Sequence, residues 1–247
     1  MKESRHFGKH RVVLNEIALQ IAKILQNNFI GIYVFGSLAK NTWDEQRSDI
    51  DFLVVTRKSI RRRESKKLQQ LHQILRKESP IAGKLEGEYI DLKSLQSKNF
   101  DRKIPTVTGG KFRPRTQCQL SADNILDLIQ DGRVVQGRPV NELGLRVTRR
   151  ELRSAAHAML REDLHALRPM KTFASVYTTL INGLRSIYTL QTNRLPSKRV
   201  AIAFNRHLIG KTLYRQLTAY QSGKTKRFPL SKTGVKSILA YGLTLKP

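Results

Sequence analysis

GSLAKNTWDEQRSDIDFLVV, residues 36–55, is the stretch on which the fold turns. Gly36-Ser37 is followed by eleven residues and then by Asp49-Ile50-Asp51. Two carboxylates at i and i+2 on a strand point to one face. Held there, they can chelate divalent metal, and Mg²⁺ favours one or two carboxylates together with substrate phosphates. Such ions clamp the attacking and leaving oxygens of an in-line displacement at phosphorus. The Gly-Ser turn offers backbone N–H groups and a hydroxyl to a triphosphate tail. Glycine there lets backbone approach phosphate closely. A lone Asp-x-Asp is common on solvated strand ends, and a lone Gly-Ser says less still. The two together, with a strand before the first and an apolar strand after the second, are far more specific.

The flanking residues supply those strands. Phe29–Phe35 (FIGIYVF) is short, β-branched and aromatic, and ends at Gly36. Residues 51–55 read as a second strand and Leu85–Leu92 (LEGEYIDL) as a third. Residues 11–28 place Val12, Val13, Ile17, Ile21, Ile24 and Leu25 at helical spacing. Residues 58–78 read as a helix with Leu68, Leu71, Ile74 and Leu75 inward. A helix followed by strand, turn, strand, helix and strand predicts an α/β sheet. Residues 98–117 hold two prolines, adjacent glycines and six Lys/Arg, and read as a loop or hinge. Beyond it the pattern is helical. Thr148-Arg149-Arg150-Glu151 matches a capping box, Phe173–Leu190 reads as a helix, and Ser197 and Ser231 are placed to cap two more. The expected division is 1–118 and 119–247, the second part all-helical.

With 247 residues the chain can bury a real core, and 39% hydrophobic residues is a globular proportion. No apolar run is long enough to cross a bilayer, and a lone cysteine, Cys118, allows no internal disulfide. The start of the chain reads as an amphipathic helix rather than a leader, so a cytoplasmic protein is expected. The formal net charge is +27. All 19 acids lie at or before Asp163, against 31 Lys+Arg, while residues 164–247 carry 15 Lys+Arg and no acid. A field of that sign attracts phosphates, nucleic acid or anionic lipid, so non-specific nucleic-acid binding is an expected property.

The 36–55 stretch resembles the nucleotidyltransferase signature of the DNA polymerase β-like superfamily. Within it, together with GLRSIYTLQTNRLPSKRVA (residues 183–201), it is similar to the streptomycin/spectinomycin (aminoglycoside 3″) adenylyltransferases. The resemblance implies an α/β (α+β) nucleotidyltransferase domain with a mixed sheet, followed by an all-helical C-terminal domain. It implies transfer of AMP from ATP to a drug hydroxyl between the two, an antibiotic-resistance activity, with ATP as co-substrate and Mg²⁺, two ions, as cofactor. Residue by residue, Asp49 and Asp51 match the metal ligands, and Gly36 and Ser37 the phosphate-binding turn. Of Glu86 and Glu88, which share a strand face, Glu86 aligns best with the catalytic base. Glu88 is the alternative base, or a third metal ligand, and Asp91 faces the other way. Arg185 and Lys198 match residues that contact ATP phosphates. Arg185 lies in an otherwise apolar helix, where an unpaired charge is costly. Lys198 lies near a helix start, where a cation opposes the dipole. Tyr241 reads first as a core tyrosine and second as the residue that meets the adenine.

The chain departs from that family where a polycationic drug would sit. The corresponding segment, Lys171–Tyr177 (KTFASVY), holds no acid. Attraction would become repulsion. Three functions stay open: a small-molecule adenylyltransferase, a nucleotidyltransferase acting on RNA such as a tRNA 3′ end, and a non-catalytic nucleic-acid-binding relative. The carboxylates favour an enzyme over the last. The charge favours RNA. The absence of an RNA-binding module signature and the family resemblance favour the small molecule, which ranks first.

Overall fold

The computed structural model describes residues 5–45 and 48–247. Gln46 and Arg47, inside the segment between Gly36 and Asp49, lie outside the described residues. The chain divides into two compact units, Met1–Arg146 and Val147–Pro247.

The first unit is built on one six-stranded sheet. Its strands are β1 (Phe29–Val34), β2 (Ile50–Thr56), β3 (Leu85–Asp91), β4 (Lys103–Thr108), β5 (Lys111–Gln117) and β6 (Arg133–Gly137), in the spatial order β5-β4-β3-β2-β1-β6. β2 and β3 run parallel and every other neighbouring pair is antiparallel, so the sheet is mixed, as expected. The parallel pair needs a crossover, and α3 (Arg62–Glu78) supplies it. Alternation along β2 sends Ile50, Phe52 and Val54 into a core they share with Leu14, Ile17, Ala18 and Ile21 of α1 (Arg5–Leu25) and with Leu68, Leu71 and Leu75 of α3. Asp51 is thereby turned to the opposite face of the sheet.

Three sequence expectations change. Ile74, expected inward, is 50% exposed, because the buried stripe of α3 runs through Leu68, Leu71, His72 and Leu75. Residues 98–117, expected to be a loop, form mostly the β4–β5 hairpin, preceded by the short helix α4 (Leu92–Ser97). Gly109 and Gly110, at φ +54° and +70°, supply the turn, so the adjacent glycines mark a hairpin rather than a hinge. A Cβ on Gly110 would run into the Ala82 carbonyl. The expected boundary at 118/119 also moves, to Arg146/Val147. α5 (Ala122–Asp131) packs on the short helix α2 (Gly36–Ala39), and β6 adds beside β1, so both belong with the sheet.

The second unit is all-helical: α6 (Arg149–Ala166), α7 (Phe173–Thr192), α8 (Lys198–Phe204), α9 (Arg206–Gln221) and α10 (Lys232–Thr244). The caps lie where the sequence places them. Thr148 and Glu151 close a reciprocal capping box, with Thr148 N–H donating to Glu151 at 2.7 Å and Glu151 N–H to Thr148 at 3.2 Å. Ser197 and Ser231 accept from Val200 N–H and Gly234 N–H, each at 3.3 Å. α7 is the central helix, with Leu180, Ile181, Leu184 and Ile187 essentially inaccessible. Leu160 of α6 and Leu239 of α10 share its core.

Candidate active site

Asp51 and Glu86 are register partners across the parallel β2–β3 pair, so their side chains stand next to one another on the same face. Both are half-buried, and Asp49, just ahead of β2, is exposed. Glu86 is raised above the ordinary carboxylate range, first by burial and then by the negative charge of Asp49. Three carboxylates, Asp49, Asp51 and Glu86, therefore converge on one end of this face. Among the described residues no group of three or more His, Cys, Asp and Glu forms a ready-made metal cage.

The turn beside them is shaped by Gly36. Its φ is +67°, and a Cβ at this position would overlap the Asp51 carboxylate. Any other residue would be strained and would push that carboxylate aside. Phe35 N–H donates to the Asp51 carbonyl at 3.1 Å, which ties the turn to β2. Ser37 is the second residue of α2 and is half-buried. Leu38 and Ala39 are fully packed beneath it.

One contributor went unnoticed in the sequence. The Trp43 indole N–H donates to the Asp49 carbonyl at 3.1 Å. Trp43 is itself buried, edge-on to His10 with ring centroids 4.9 Å apart, and Lys84 Nζ sits 5.4 Å over its ring. The segment carrying Asp49 is thus pinned by the only tryptophan in the chain. A lone Trp between the glycine turn and the Asp-x-Asp is the signal that could have found it.

The two glutamates on β3 separate. Glu88 is buried and accepts a 2.6 Å hydrogen bond from Gln119 N–H. Burial raises it, and the Gln119 N–H and the Cys118 thiol pull it partly back. The thiol in turn is pushed up to about 12, by burial first and by Glu88 next. Glu88 anchors the segment after β5, while Glu86 stays at the open end with the aspartates. Asp91 is occupied elsewhere: it caps α4 through Ser94 N–H at 2.9 Å and pairs with Arg102 at 3.1 Å. Burial raises its carboxyl, but the Ser94, Ser59 and Arg102 contacts outweigh this and hold it low.

Arg185, Lys198 and Tyr241 lie in the helical unit. Arg185 is half-buried on α7, and its Nε donates to the Pro196 carbonyl at 3.3 Å. Lys198 is exposed in the first turn of α8, two residues beyond that carbonyl. Tyr241 is 36% exposed on α10, within 3.5 Å of Gln191 Nε2, so the core-tyrosine reading is set aside. The face of α10 that packs inward is carried by Val235, Ile238 and Leu239 instead.

Residues 18–105 match the model of the nucleotidyltransferase domain family. The structure of spectinomycin adenyltransferase AAD(9) from Enterococcus faecialis, with ATP and spectinomycin, is similar to this chain at a TM-score of 0.66. The alignment covers 96% of this chain and 98% of that one at 17% identity. A toxin–antitoxin MntA-HpeT mutant aligns over 53% of this chain and 80% of its own, at 14% identity and a TM-score of 0.31, too low to carry an argument. No curated protein matches the chain. No helix among the described residues is long and apolar enough to cross a membrane. Residues 18–105 thus match a nucleotidyltransferase domain, and nearly the whole chain shares its fold with AAD(9).

Proposed function

We propose that the protein transfers AMP from ATP to a hydroxyl of a small molecule, with Mg²⁺ as its metal. The observation that carries this reading is the pairing of Asp51 with Glu86 beside the Gly36-Ser37 turn, under the charge of Asp49. Asp49 and Asp51 are the proposed metal ligands. A pair of carboxylates suits Mg²⁺, which completes its shell with substrate phosphates and water. When bound, the metal neutralises charge on the phosphates and on the oxygens entering and leaving phosphorus. Gly36 and Ser37 receive the triphosphate tail through backbone N–H and hydroxyl. Glu86 takes the proton of the acceptor hydroxyl, and a carboxylate whose proton affinity is raised is better suited to that task. Arg185 and Lys198 are proposed to contact phosphate, and Tyr241 to meet the adenine. The solved AAD(9), bound to ATP and spectinomycin, supports ATP as the nucleotide and a small hydroxyl compound as the acceptor.

The charge favours a second reading, an RNA hydroxyl as acceptor, because residues 164–247 carry 15 Lys+Arg and no acid. One experiment separates the two. The protein is incubated with each labelled nucleoside triphosphate and Mg²⁺, against separate pools of aminoglycosides and total RNA. Label on a small molecule supports the first reading and label on RNA the second. Label on neither, with intact nucleotide, would sink both.

A further inference from the structure

The Gly36-Ser37 turn opens a helix of only four residues, and a helix that short does not hold its own conformation. Something outside it must fix where its N–H groups and the Ser37 hydroxyl point. Leu38 and Ala39 seat it on the unit's core, but apolar contacts have no direction. At its far end stands Lys40. Lys40 Nζ lies 2.6 Å from Asp127 Oδ1 and 3.8 Å from Asp131 Oδ2, both on α5. The lysine and Asp127 side chains are only 19% and 11% exposed. The Lys40 backbone N–H closes back on the Gly36 carbonyl at 3.2 Å, and Thr42 N–H on the Ser37 carbonyl at 3.0 Å. The ammonium and the phosphate turn are thus two ends of one rigid piece.

A buried ion pair is weak evidence of stabilisation, since apolar side chains of the same volume often serve stability as well. What it adds is a fixed distance between the two elements, because a pair this little exposed is screened only weakly by water and salt. We infer that Lys40 and Asp127 are positioning residues, an internal tether that aims the Gly36-Ser37 turn at the triphosphate of the nucleotide. This rests on the proposed role of that turn. Lys40 acts through the turn and is not itself the phosphate ligand: its ammonium is spent on α5.

The tether is tested by calorimetric titration with ATP and, separately, AMP, both with Mg²⁺, at a temperature where every variant is folded by circular dichroism. Lys40→Met leaves Asp127 buried without that ion pair and is open to misfolding. The double variant Lys40→Met/Asp127→Leu removes both charges and guards against that. ATP affinity is expected to fall on the order of tenfold to a hundredfold in both, the cost of small misplacements in a binding constellation. AMP affinity should hold, because AMP does not present the β- and γ-phosphates that the turn receives. Lys40→Arg, which keeps the ion pair, should bind ATP nearly as wild type does. An equal loss for ATP and AMP would show general loosening and overturn the inference, as would wild-type ATP affinity in the double variant. If wild type binds no ATP, the reading of the turn itself fails. If wild type binds and Ser37→Ala weakens ATP while the tether variants do not, the inference alone fails.

Discussion

Asp49, Asp51 and Glu86 reach one place by different routes. The two aspartates are neighbours in the chain; Glu86 arrives by strand pairing. Asp49→Asn or Asp51→Asn is expected to abolish transfer without unfolding the protein, since neither carboxylate is enclosed. Circular dichroism and turnover at saturating Mg²⁺ check this, and retained turnover in either variant would refute the assignment. Glu86→Gln should lower turnover by roughly 10²–10⁴ while ATP affinity holds. Glu88→Gln should instead lower the melting temperature and leave turnover per folded molecule unchanged, because Glu88 holds Gln119 N–H in the interior. If the two phenotypes are exchanged, the base has been placed two residues too early. The sequence offers these two as candidates for the proposed base and aligns Glu86. Only the burial of Glu88 and its bond to Gln119 gives each carboxylate a separate task, and Gln119 lies 31 residues away. The place of Trp43 between the glycine turn and Asp-x-Asp is visible in the sequence, but its bond to the Asp49 carbonyl is not.

Among the elements, the hairpin of β4 and β5 shows how composition can mislead. The prolines and basic residues suggested a loop, yet Pro114 lies on β5, the edge strand, where proline and charge are common, and Pro105 lies on β4 at the register shift between Ile104 and Thr106. Gly110→Ala would place a Cβ on the Ala82 carbonyl at positive φ. A loss of at least about 1 kcal/mol is expected, more than a compatible Gly→Ala change could return, and urea denaturation reads it directly. A variant as stable as wild type would mean the turn is not held as described. On the helical side, Arg185 is tied to the stretch before α8 through Pro196. If it contacts phosphate, ATP should raise the melting temperature of wild type more than that of Arg185→Ala. Equal shifts would make Arg185 purely structural.

For the whole molecule, acid stability has an identifiable source. His72 is 1% exposed, and burial lowers it to about 4 from an ordinary value of 6.5. Its Nε2 pairs with the Tyr89 hydroxyl at 2.8 Å, beside Phe52 and Phe112. The unfolded chain binds a proton here below about 6.5, and the folded chain resists it until about 4. The unfolded state therefore holds more protons in that window, and stability falls as pH drops through it. Asp163, raised to about 7 by burial first and by Glu162 next, has the opposite sign: its contribution is lost as pH rises towards 7. His72→Gln against wild type isolates the histidine. The variant should lack up to about 3 kcal/mol of the acid-side loss between pH 6.5 and 4, read by denaturant titration at each pH. Parallel pH curves for the two proteins would refute it. At this scale the charge also makes a claim. With +27 overall, affinity for RNA or DNA should fall linearly in log–log against salt, and streptomycin should bind poorly. Tight, ATP-dependent streptomycin binding without salt-sensitive nucleic-acid binding would show that the charge does not choose the acceptor.

Whatever is set by neighbours in the chain can be read directly from it. That covers the glycine turn and Asp-x-Asp, the strands around them, the Thr148-Glu151 capping box, the serine caps at Ser197 and Ser231, and the acid-free C-terminal third. Each of these follows from backbone geometry or side-chain chemistry within a few residues. What rests on distant pairing emerges once the chain has folded. The parallel register sets Glu86 beside Asp51, β6 returns to the sheet beyond the expected boundary, His72 takes an inward place ahead of Ile74, and Lys40 meets Asp127 across 87 positions. The reason is physical: sheet register and buried ion pairs are chosen by the summed packing of the whole unit, so no local window of the chain contains them.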